Sequence, residues 1–80
     1  MQYTVRNRTG GNLLKDGDEI DALRTVCNHA APDVLTVERS NHADLDGAAF
    51  LNTFGAGRVI RKLRNEWPGD LEARKMLARA

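Results

Sequence analysis

Asp44–Trp67 reads DLDGAAFLNTFGAGRVIRKLRNEW, and two helical patterns meet there at a glycine joint, Gly55-Ala56-Gly57. In the second half, Val59, Ile60, Leu63 and Trp67 fall at i, i+1, i+4 and i+8, which places them on one side of a helix. Arg58, Arg61, Lys62 and Asn65 lie largely opposite, with Arg64 to one side. The spacing predicts an amphipathic helix over 58–67, with its apolar face inward and its cations in water. The first half predicts a helix over 44–54, with Leu45, Ala48, Ala49, Leu51 or Asn52, and Phe54 near one side and Phe50 off that stripe. Gly47 weakens it by about 1 kcal/mol relative to alanine. Gly55 suits the position just past a helix end, and Gly57 permits a sharp turn.

Downstream, Pro68-Gly69 stops the pattern, and Asp70 is expected to cap a last helix over 70–79, with Ala73, Met76, Leu77 and Ala80 inward. Upstream, VLTVER (34–39) is rich in β-branched residues and predicts the clearest strand, its Leu35 and Val37 side buried. Ser40-Asn41-His42 then reads as a polar turn. Before that strand, Asp18 can cap a helix over 18–30 whose Ile20, Leu23, Val26 or Cys27, and Ala30 share one stripe. Pro32 ends it, because the residue before a proline disfavours the helical conformation. At the start, Tyr3 and Val5 alternate with Gln2, Thr4 and Arg6, predicting a strand over 2–6. Gly10-Gly11 supplies a turn, after which 12–15 reads equally as a returning strand or as a covering loop. The expected fold is α+β in one domain, 1–80: a two- or three-stranded sheet packed by one helix, then a helical C-terminal part.

Eighty residues bury only about 60–65% of their unfolded surface, so the core is thin and leaves little room for a deep substrate cavity. The composition, 41% hydrophobic and 29% charged, is that of a soluble globular protein. No apolar run approaches a membrane span and residues 1–11 lack an apolar leader core, so the expected location is cytoplasmic without membrane partners. A single cysteine excludes an internal disulfide. Residues 1–55 hold five basic and eight acidic side chains, net −3, whereas 56–80 hold seven and three, net +4. A basic C-terminal third suits a polyanion or an acidic protein surface.

Catalytic patterns are weak. Cys27-Asn28-His29 with the distant His42 is the one cluster resembling a metal or thiol site, and a fourth zinc donor there would have to be Asp44 or Asp46. Cys27 sits on an apolar stripe, where cysteine behaves as a small buried hydrophobe. Gly55-Ala56-Gly57-Arg58 lacks the lysine-serine/threonine of a phosphate loop. Asp16, Asp18, Glu19 and Asp21 lack the spacing of a calcium loop. The expectation is therefore a chain with no enzymatic activity, metal or cofactor.

In length, element order and its closing amphipathic helix with tryptophan, the chain resembles small bacterial SOS-response regulators and short phage-encoded inhibitors. No motif residue carries that likeness, and no site follows from it. The leading functional expectation comes from the residues themselves. It is a stoichiometric regulator or inhibitor that occupies a surface of a larger protein or protein–nucleic-acid assembly. Arg58, Arg61, Lys62 and Arg64 would steer it there and Trp67 would anchor it. The alternative makes 44–67 a helix-turn-helix-like pair whose second helix reads DNA. A third reading makes Val59, Ile60, Leu63 and Trp67 a homodimer seam.

Overall fold

The computed structural model describes residues 2–54 and 57–79. Its elements run β1 (Tyr3–Arg6), β2 (Asn12–Gly17), α1 (Glu19–Cys27), β3 (Thr36–Arg39), β4 (His42–Asp46), α2 (Gly47–Asn52), α3 (Gly57–Asn65) and α4 (Asp70–Ala78). The strands form one antiparallel sheet in the order β2-β1-β3-β4. The architecture is α+β, as the alternation of strand and helix periods in the sequence implied.

The N-terminal hairpin is real, and β2 runs two residues beyond the expected 12–15. The Asn7 carboxamide organises its turn: Oδ1 accepts hydrogen bonds from Thr9 N (3.1 Å), Thr9 Oγ1 (2.8 Å) and Gly11 N (2.8 Å). Gly10, at φ 88°, takes the left-handed step that a side chain resists. Register then aligns Leu14 with Val5, Val5 with Val37 and Val37 with Leu45. One apolar side chain from every strand therefore lies in a single row across the sheet. The two central members of the row are fully buried, and Leu14 and Leu45 are half-buried at the edges. The opposite face is polar, with the Arg6 guanidinium 2.9 Å from the Glu38 carboxylate across the central strands.

α1 packs on β1 and β2, α2 packs on β3 and β4, and α3 and α4 pack against α1 and each other. α1 begins where expected, since Asp18 Oδ1 accepts from Asp21 N at 2.8 Å. It buries Ile20, Ala22, Leu23, Val26 and Cys27, whereas Ala30, expected on the stripe, lies beyond the helix and is exposed.

The helix expected over 18–30 ends at Cys27, before Pro32 is reached, and two further expectations need correction. First, the strand expected over 34–39 starts at Thr36, because Pro32–Val34 forms a turn of 3-10 helix begun by the proline. Second, 44–54 is not all helix. Residues 42–46 form edge strand β4, reached by a tight turn at Ser40-Asn41 in which Asn41 adopts φ 60°. Asn tolerates that conformation better than most side chains. Asp46 closes the strand and caps α2, accepting from Ala49 N at 2.7 Å.

The shift also explains Phe50 and Gly47. With α2 starting at 47, Phe50 points inward, 2% exposed, stacked edge-on with Phe54 (centroids 5.2 Å, 87°) and 5.8 Å from the Tyr3 ring. Gly47 is not a weak helical residue tolerated by chance. Its N–H donates to Leu35 O at 2.9 Å, and a Cβ there would lie 2.1 Å from the Pro32 carbonyl oxygen. Backbone must move to admit any side chain, so Gly47→Ala is expected to lower stability by about 1–3 kcal/mol. A urea titration checks this: the midpoint should fall while the slope stays unchanged.

Candidate functional site

The candidate site is α3 and the surface beside it. Ile60 and Leu63 hold the helix to the core, Leu63 with no exposure at all, and Val59 packs half-buried beside them. The apolar face inferred from spacing is therefore inward in this chain. The helix ends at Asn65 rather than 67. The expected joint at Gly55 and Ala56 lies outside the described residues.

Arg58, Arg61, Lys62 and Arg64 are all exposed. At about 100° per residue they cover an arc of roughly 160°. Among the described residues none of the four makes an ion pair or side-chain hydrogen bond, and α3 contains no acidic residue. Four of the acids are paired elsewhere. Arg6 meets Glu38, Arg24 meets Asp21 and Asp70, and Arg74 meets Asp18.

Trp67 differs from the other site candidates. It lies in the connection after α3, half-buried against the core, with Nε1–H donating to Asp70 Oδ1 at 3.1 Å. Arg24 Nη1 reaches both oxygens of the same carboxylate at 3.2 Å. Asp70 was expected as the cap of α4, but Gly69 occupies that position and makes no side-chain cap. The Asp70 carboxylate instead ties α1, Trp67 and the start of α4 together. No spacing rule foretold this contact, since its arginine lies 46 residues away.

Beside α3 runs a groove. Its first part, about 480 Å³, lies between α3 and the wall made by residues 30–33 and α2, with Leu51 and Ile60 at its base. A second part, about 430 Å³, continues past Arg61 and Arg64 to Asn28, His29 and Asn65. His29 Nδ1 accepts from Ala31 N at 3.0 Å, which fixes the bend forming that wall. The groove was not legible in the sequence, because its small residues (Ala30, Ala31, Ala48) carry no chemical signature.

The cysteine reading is clear. Cys27 is buried, and burial pushes its thiol up to about 11, an effect that nearby Arg64 opposes. Among the described residues no three His, Cys, Asp or Glu side chains group as metal donors, and no helix is long and apolar enough to cross a membrane. Of the helix-turn-helix-like pair expected over 44–67, the first member covers only Gly47–Asn52 and the second Gly57–Asn65. Comparison with protein families, with curated proteins and with solved structures finds no match for this chain.

The raised thiol has a measurable consequence. An unfolded chain ionises Cys27 near 9.0 and the folded one near 11, so stability is present below pH 9 and falls as pH rises between the two. Chemical denaturation from pH 8 to 11 should show this loss, and Cys27→Ala should reduce it, leaving the part due to Tyr3, whose phenol is also raised by burial. A thiol reagent at pH 8 should label Cys27 only after unfolding.

Proposed function

We propose that this chain is a small non-enzymatic binding protein, a stoichiometric regulator or inhibitor that docks the basic side of α3 on a larger protein or protein–nucleic-acid assembly. One observation carries the reading. Four cations stand exposed and unpaired, among the described residues, on one nine-residue helix whose other side is fixed in the core. Other unpaired cations, such as Arg8 and Lys15 on the first hairpin, are more scattered. Holding four like charges together costs self-repulsion, and an acidic partner surface relieves it while steering the encounter.

Arg58→Glu, Arg61→Glu and Lys62→Glu combined should weaken capture of the partner by at least about tenfold. The unfolding free energy from urea titration should change by no more than about 0.5 kcal/mol per substitution, since all three side chains are exposed and unpaired. Affinity capture from the native host, with and without nuclease, reads the first effect. Undiminished capture by the triple variant overturns the proposal. A gel shift with duplex DNA, steeply weakened by added salt, would instead favour α3 as a DNA-contacting helix.

A further inference from the structure

The two parts of the groove share Ala30, Arg61 and Arg64, so they adjoin alongside α3. Nine helical residues rise about 13 Å, the length of roughly four extended residues. The two ends differ in chemistry. The end near Gly57 has Leu51 and Ile60 at its base, and the end near Asn65 is polar. Arg61 and Arg64 stand where the two meet. His29 lines the polar end, its Nδ1 held by the hydrogen bond from Ala31 N.

We infer that this groove receives a short extended acidic segment of a partner protein, with one apolar side chain over Leu51 and Ile60 and its carboxylates on Arg61 and Arg64. The inference rests on the protein-binding reading above and specifies what the partner presents. Arginine suits the role because its planar fork grips a carboxylate with two parallel hydrogen bonds. Nucleic acid fits less well. Single strands need exposed aromatic faces for their bases. Tyr3 and Phe50 are buried, Phe54 and Trp67 are packed against the core, and these four are all the aromatics the chain has.

The test uses the full chain and fluorescence anisotropy with short labelled peptides. One peptide carries a leucine flanked by aspartates and glutamates, a second replaces the leucine by serine, and a third replaces the acids by their amides. Single- and double-stranded oligonucleotides serve as competitors. The first peptide should bind at least about tenfold tighter than either of the others. Ala48→Phe and Ala30→Phe each fill the groove from an exposed wall position without changing charge. Both should weaken that peptide about tenfold or more, as should Arg61→Glu with Arg64→Glu. Amide shifts on titration should cluster at Ala30, Ala48, Arg61 and Arg64.

Equal binding of the leucine and serine peptides, with no effect of either phenylalanine, overturns the groove. It leaves the basic face standing if the triple glutamate variant still loses its host partner. No peptide binding at millimolar concentration likewise overturns the groove, and tighter binding of an oligonucleotide overturns the choice of a protein segment.

Discussion

The structure depends on α1 being buried along most of one side. Ile20, Ala22, Leu23, Val26 and Cys27 all lose contact with water, and the helix touches β1, β2, α2, α3 and α4. In a chain of this size no second core is available, so every other element is stable only by reaching this helix or the sheet beneath it. The row Leu14–Val5–Val37–Leu45 supplies the matching sheet surface. A slip of one residue in any strand would turn that row to water, which fixes register as firmly as the hydrogen bonds do.

Given that frame, the placement of the carboxylates explains the surface. Asp18 caps α1 and also meets Arg74, and the Asp21 backbone N–H, aided by Arg74, holds its carboxyl below the ordinary value. Asp46 caps α2, and Asp70 joins Arg24 to Trp67. These contacts satisfy helix ends and lock elements to one another. The cations of α3 receive no such partner among the described residues. Exposed ion pairs contribute little to stability in any case, so leaving these cations open costs the fold little. The same openness concentrates positive potential along one helix and the groove beside it.

Particular residues show how far local patterns reach. Val59, Ile60 and Leu63 announced the inner side of α3, and Leu35 with Val37 announced the buried side of β3 and the residue leading into it. Asp18 announced the start of α1. By contrast, HADLD at 42–46 reads poorly as a strand, because aspartate is depleted in sheets. It is nevertheless an edge strand, where charged side chains are common and protect against pairing with other chains. Its Leu45 lies opposite Val37, and that pairing outweighs its propensity. Gly47 misleads in the same way, since its value lies in the Pro32 carbonyl above it, fifteen positions earlier in the chain.

By itself, the sequence determined the α+β class, the inward faces of its best-patterned helices and strands, and the gathering of positive charge near the C-terminus. Those properties follow from the periods of helix and strand, which are local. Tertiary structure alone decided that 42–46 is a strand, that Arg24 of α1 reaches Asp70, that the α3 cations go unpaired among the described residues, and that a groove runs beside them. Each of these depends on which distant residues meet, and a linear pattern records what a side chain prefers without recording its neighbour.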